Sequence, residues 1–169
     1  SITGTTAPGT TVTLLDGDNV LGSVIAGSDG SFSITSSALT DADYTLTVTA
    51  TDAAGNTSVP STELPITIDT TAPDAPVITT TTSLTNITTP TIEGTAEAES
   101  IVELFNGSES LGTATAGSDG LFSITSSALT DADYTLTVTA TDAAGNISVP
   151  STELNITIDT TAPDAPVIT

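Results

Sequence analysis

The sequence predicts an all-β chain of tandem antiparallel sandwich domains, and three observations carry that prediction. The first is a repeat. Residues 26–79 recur at residues 116–169 with three changes, Ser31/Leu121, Thr57/Ile147 and Pro65/Asn155, which sets a period of 90 residues. Stacked copies of one folding unit mark a chain whose task is served by length. The second is alternation: apolar residues, 37% of the chain, fall in short runs rich in Val, Ile, Leu and Thr, the pattern of half-buried strands. The third is punctuation, with Gly, Asn and Asp turn signals about every 8 to 12 residues and no helical period.

The second copy is complete and is read in order. Residues 76–80 form a short first strand and 81–89 a polar connection, then 91–96, with Ile92 and Gly94, form the second strand. Residues 101–105 set Ile101, Glu103 and Phe105 on one face and Val102 and Leu104 on the other. Asn106-Gly107 supplies a turn into a fourth strand at 111–116, and Gly117-Ser118-Asp119-Gly120 a turn into a fifth at 121–125. The sixth, 134–141, is the clearest: Tyr134, Leu136, Val138 and Ala140 point one way and the threonines the other, so one face enters a core and a hydroxylated face meets solvent. Residues 153–158 close the unit. Seven such strands predict an immunoglobulin-like antiparallel β-sandwich with Greek-key topology.

Two residues refine the prediction. Tyr134, like Tyr44, opens the sixth strand directly after Asp-Ala-Asp, where a tyrosine corner belongs; an ordinary core tyrosine is the alternative. Pro65 stands in the seventh strand of the first copy where the second has Asn155. Proline cannot donate to a ladder, so this position belongs on an edge or at a bulge.

Ser1 aligns with Thr91, so residues 1–69 are expected to form an Ig-like domain lacking its first strand, 70–159 a complete domain, and 160–169 the linker and first strand of a following one. The chain therefore reads as a segment of a longer protein. Its tail strand is a candidate to complete the open edge of another copy by strand addition.

Composition excludes several functions. With 21 acidic residues, no Lys, Arg or His and a formal net charge of -21, the chain has nothing with which to neutralise phosphate, so nucleic acid and anionic lipid surfaces are excluded as partners. No apolar run approaches a membrane span, so direct membrane insertion is excluded too. The absence of Cys removes disulfides, thiolate metal sites and thiol nucleophiles. Acidity with few aromatics is also a signature of disorder, against which the strand pattern argues.

The segments Ala-Gly-Ser-Asp-Gly, Tyr-Thr-Leu-Thr-Val-Thr-Ala-Thr-Asp-Ala-Ala-Gly-Asn and Ile-Asp-Thr-Thr-Ala-Pro-Asp-Ala-Pro resemble the bacterial immunoglobulin-like (BIg) tandem repeats of giant secreted adhesins, such as the extender regions of RTX adhesins and biofilm-associated surface proteins. The resemblance covers nearly the whole chain. It implies an extracellular location at the bacterial cell surface, neighbouring Ig-like repeats of the same chain as partners, a role in cell adhesion and biofilm formation by holding a terminal adhesion module away from the cell, and linkers that bind calcium.

The acidic residues point the same way. In a seven-stranded sandwich the chain enters at one end and leaves at the other, so stacked domains would present Asp41, Asp43, Asp16 and Asp18 from the first domain, Asp69 and Asp74 from the linker, and Asp142, Asn146, Glu97, Glu99 and Asp119 from the second. Calcium takes about 6 to 8 oxygen ligands in irregular geometry, which suits such loops. The candidate ligands are first Asp69, Asp74 and Asp142, then Asp41, Asp43 and Asn146, with the copies Asp159, Asp164, Asp52, Asn56, Asp131 and Asp133 serving adjacent junctions. Turn formation is the competing role for each, and it is the favoured one for Asp29-Gly30 and Asp119-Gly120. Asp16-Gly17-Asp18 is similar to the opening of an EF-hand loop but fails at Val20 and Leu21. Pro73 and Pro76 restrict the linker before any ion binds.

Two rival functions remain. Without His, Cys or Lys, an enzyme would have to use paired carboxylates; Asp69-Thr70-Thr71 is similar to an aspartic-protease signature but lacks its glycine. A ligand-binding module would be expected to expose aromatics, and the chain has two Tyr, three Phe and no Trp.

Overall fold

The computed structural model describes residues 1–168 and contains strands and turns without helices. Among the described residues no helix is long and apolar enough to cross a membrane. The chain divides into two compact units, Ser1–Thr70 and Thr71–Thr169.

The first unit contains β1 (Ile2–Thr5), β2 (Thr11–Asp16), β3 (Asn19–Ile25), β4 (Ser31–Ile34), β5 (Ala42–Thr51) and β6 (Leu64–Ile68). β1 pairs with β4 in a two-stranded sheet, and the others form a four-stranded sheet in the order β3-β2-β5-β6. The second unit contains β7 (Val77–Ile78), β8 (Leu84–Thr85), β9 (Thr91–Thr95), β10 (Ile101–Asn106), β11 (Glu109–Thr115), β12 (Leu121–Thr125), β13 (Ala132–Thr141) and β14 (Leu154–Ile158). Its sheets run β12-β9-β7 and β11-β10-β13-β14-β8. This is the predicted all-β sandwich, with antiparallel pairing throughout except between β14 and β8.

Alternation carries through to packing. Val102 and Leu104 on β10 and Leu136, Val138 and Ala140 on β13 are wholly buried, while the threonines between them stay at the surface or half-buried. The turn after β10 uses Gly107 at φ 61° and is followed by a register shift at Leu104/Phe105, a bulge repeated at Leu14/Leu15.

Both tyrosines form corners. The Tyr134 hydroxyl donates to the Thr130 carbonyl at 3.1 Å and accepts from the Thr130 N–H at 3.1 Å; Tyr44 does the same with Thr40 at 3.0 and 3.2 Å. Pro65 lies opposite Thr45 on β6, the outer strand of its sheet, where a missing N–H leaves no partner unmet.

Two features depart from the sequence reading. The stretch 81–89, read as a polar connection, contains β8, which pairs in parallel with the end of β14 through Thr157↔Leu84 and Ile158↔Thr85. The entering chain thus serves both sheets, β7 along β9 and β8 along β14. The tail 160–168 contains no strand, and Thr169 lies outside the described residues.

The cores differ in completeness. In the second unit Ile92, Phe122, Val138, Ile156 and Ile158 are buried, whereas their first-unit counterparts Ile2, Phe32, Val48, Ile66 and Ile68 are only partly so. The strands correspond; in the second unit residues 71–90 lie along them, with β7 on β9 and β8 on β14.

Candidate metal centre

Strand register decides which acidic loops share an end. In the second unit Ile101 faces both Thr115 and Thr141, while Thr95 faces Leu121 and Val77. The loops 96–100, 116–120 and 142–146 therefore gather at one end, beside Asp74 where the chain enters. A shallow cavity of about 330 Å³ there is lined by Asp74, Ala75, Val77, Thr95, Ala96 and Glu97. In the first unit Asp16 faces Asn19 and Leu46, and Ala42 faces Ile68, which places the Asp16–Asp18 turn, Asp41, Asp43 and Asp69 together at the end where the chain leaves.

The side chains are occupied locally. Asp142 accepts the N–H of Ala144 at 2.8 Å and of Asn146 at 2.9 Å on Oδ1, and the Asn146 amide at 2.8 Å on Oδ2. Asp52 repeats this with Ala54, Asn56 N–H and the Asn56 amide, each at 2.9 Å. The turn needs a left-handed residue, supplied by Gly145 at φ 93° and Gly55 at φ 86°. The Asn146 side-chain amide, more than any other group, holds the Asp142 carboxyl below its ordinary range, and Asn56 does so for Asp52. Asn146 and Asn56 therefore act here as partners of a carboxylate.

The carboxylates beside the tyrosine corners anchor the departing strand. Asp133 Oδ1 accepts the Thr157 hydroxyl and Asp43 Oδ1 that of Thr67, each at 2.6 Å. Asp131 accepts Thr160 at 2.7 Å and Thr161 at 3.1 Å, and the Thr160 hydroxyl is the chief cause of its lowered pKa. Asp41 accepts Thr70 at 2.8 Å. Sequence reasoning missed these threonines, although the repeated Ile-Thr-Ile-Asp-Thr-Thr carries them in phase with the corner aspartates. Asp159 accepts the Thr161 N–H at 2.9 Å, Asp69 directly follows β6, and Asp164 is exposed. Asp29 and Asp119 accept the N–H groups of Ser31 and Leu121, as turn formers do.

The donor chemistry, hard oxygens with no cationic side chain to compete, fits calcium. Among the described residues no three acidic side chains come together into a group able to hold a metal ion.

Comparison with known proteins places the whole arrangement. Residues 76–160 match the model of a bacterial Ig-like domain and residues 1–66 that of a bacterial Ig domain. Exoglucanase B of Cellulomonas fimi is 37% identical over an alignment that covers 73% of this chain and 12% of that protein, so the chain spans a small part of that relative's length. Among solved structures, the fibronectin(III)-like modules of Clostridium thermocellum CbhA share the fold, with a TM-score of 0.58 at 16% identity over 92% of this chain and 80% of theirs. The BSP domain of a biofilm associated protein aligns at a TM-score of 0.43 and 22% identity, over 92% of this chain and 26% of that one. With one family model matching half of the chain, within the second unit, and another matching most of the first, the chain belongs to the bacterial Ig-like domain family.

Proposed function

We propose that this chain is a structural extender segment of a bacterial cell-surface adhesin: an extracellular, non-catalytic rod of tandem Ig-like units, stiffened by calcium at successive junctions, that holds an adhesion module away from the cell. The observation that carries this reading is where the repeat is most faithful. Residues 26–79 and 116–169 differ at three positions, and what they preserve includes the Asp52 and Asp142 loops, the corner that anchors the departing strand and the linker. A repeat that keeps its last three strands, linker and entering strand nearly constant while its earlier strands diverge is suited to joining copies of itself.

The chemistry supports the metal component. Acidic loops lie at the leaving end of one unit and the entering end of the next, in a chain without a single Lys, Arg or His. A divalent ion bound by these loops would offset like-charge repulsion. The first candidates remain Asp69, Asp74 and Asp142, with Asp41 and Asp43 beside them. Nothing in the chain favours catalysis: the corner and turn carboxylates each hold hydroxyls or amides of their own unit.

Chelation tests the reading. An ion that binds only the folded array stabilises it by about 2.7 kcal/mol at one hundred times its Kd, so removing calcium is expected to lower the melting temperature and shorten the maximum dimension seen by small-angle X-ray scattering. Identical melting and scattering curves with calcium and with chelator would remove calcium from the proposal.

A further inference from the structure

We propose that the outer edge of β14 is a docking lane for an extended basic peptide, which adds as a strand beside Asn155 and sets a lysine or arginine into the cavity at Asp133. The lane follows from the hydrogen-bond pattern. The Thr157 N–H turns away from β13 and donates to the Ser83 carbonyl at 2.9 Å, and that of Asp159 donates to the Thr85 carbonyl at 3.0 Å. Backbone direction alternates along a strand, so the N–H and carbonyl of Asn155 point to the same side. β8 comprises only Leu84–Thr85 and meets β14 at Thr157 and Ile158. Just before it, the Thr79 and Thr80 N–H groups are held by the Glu93 carbonyl on the other sheet. The chain therefore joins this lane only at Ser83, and among the described residues the Asn155 N–H meets no acceptor.

The two units differ at this very position. Thr135↔Asn155 and Thr45↔Pro65 hold the same register, and Pro65 fits there because the nitrogen has nothing to donate to on the inner strand. It also removes the donor that an added strand would use. Proline on an edge is a block against strand addition, whereas Asn155 leaves the lane open.

Charge and shape select the occupant. A cavity of about 400 Å³ opens beside the lane, and its lining includes Ser83, Asp133, Thr135, Asn155 and Thr157. Asp133 and Glu153 are exposed carboxylates, in a chain with no cationic side chain to neutralise them. An added strand presents alternate side chains to each face of the sheet, so one that enters this cavity meets Asp133 and Asn155 together, and a cation is the complementary group. Backbone pairing along the edge then supplies affinity and the cavity supplies the preference for a basic residue.

Amide NMR of the whole chain, titrated in chelator with the end-blocked peptide Lys-Val-Lys-Val-Lys-Val, tests the proposal. Lys-Pro-Lys-Pro-Lys-Pro carries equal charge but cannot pair as a strand, so it measures adsorption by charge alone. The Lys-Val peptide is expected to bind more tightly than the Lys-Pro peptide, to move the Asn155 amide signal most, and to weaken with added salt. Asn155→Pro should weaken it by about fivefold or more, as loss of one backbone hydrogen bond does, while Asn155→Ala, which keeps the N–H, should bind more tightly than Asn155→Pro. Pro65 at the equivalent register shows that the sandwich accepts proline there, and the comparison of the two peptides on the wild-type chain needs no variant at all. Absence of binding, equal affinity for both peptides, or undiminished binding by a folded Asn155→Pro chain would overturn it.

Discussion

Alanine at two equivalent glycines isolates the contribution of the entering strand. Neither Gly4 nor Gly94 has a positive φ, so alanine is permitted by the backbone at both and only the surrounding space differs. At Gly94 the new methyl would meet the Val77 carbonyl at 2.2 Å and the Phe122 ring at 2.6 Å. The carbonyl belongs to the backbone of a paired strand, and it withdraws only if β7 shifts off β9. Overpacking of this kind costs about 1–3 kcal/mol, and the reduced entropy of the unfolded alanine chain returns about 0.4–1 kcal/mol. The net loss of about 1–2 kcal/mol corresponds to a fall of roughly 4–16 °C in the melting temperature of a unit this size. At Gly4 the only close neighbour is the Phe32 ring, at 2.6 Å, which has an open groove to turn into, so Gly4→Ala should stay within about 0.5 kcal/mol of neutral. Calorimetry reads both, with the smaller first-unit core expected to melt first and the amide signals of Thr5 and Thr95 assigning each transition. Equal shifts in the two variants, or an unmoved second-unit transition in Gly94→Ala, would refute the reasoning.

The other predictions use single contacts. Tyr134→Phe removes a hydroxyl that both donates to and accepts from Thr130; because Thr130 is exposed and water can replace it, the expected cost is about 1 kcal/mol, read as a melting shift of the second unit and mirrored by Tyr44→Phe in the first. Glu99 holds φ 64° where the first unit has Gly9 at φ 73°, so Glu99→Gly should relieve left-handed strain and stabilise the second unit by about 0.5–1 kcal/mol in urea unfolding. Asp142 titrates below its ordinary value of about 3.9 in the folded chain. In the window between that value and its lowered folded pKa the unfolded chain binds more protons, so its stabilisation is present above the window and is lost as pH falls through it. Asp142→Ala should accordingly lose stability at neutral pH and show a shallower acid decline than wild type; parallel curves would mean that the turn carboxylate contributes nothing.

Local features were legible because they depend on neighbours in sequence. The alternation at Tyr134–Thr141 gave β13 to within two residues, Asp-Ala-Asp-Tyr located the tyrosine corner, and Pro65 announced an edge. The loop ends that carry the acidic candidates followed from strand order alone. The roles of individual carboxylates did not follow, since a side chain that serves as turn former and one that serves as metal ligand are written with the same letter. Asp142 and Asp52 close their own turns, and Asp131 and Asp133 are tied to threonines 24 to 30 positions away, a pairing that exists only once β13 and β14 lie side by side.

Composition, period and alternation by themselves determined that this chain is a repeated, acidic, all-β array without thiol, cationic side chain or disulfide. Only the tertiary structure decided that the fourth strand stays with the third, as β11 lies on β10, and that the entering segment divides between two sheets as β7 and β8. The reason is physical: burial on one face is encoded by local periodicity, whereas the choice of sheet and of strand partner depends on backbone hydrogen bonds between residues far apart in the chain, which identical side-chain patterns can satisfy in more than one way.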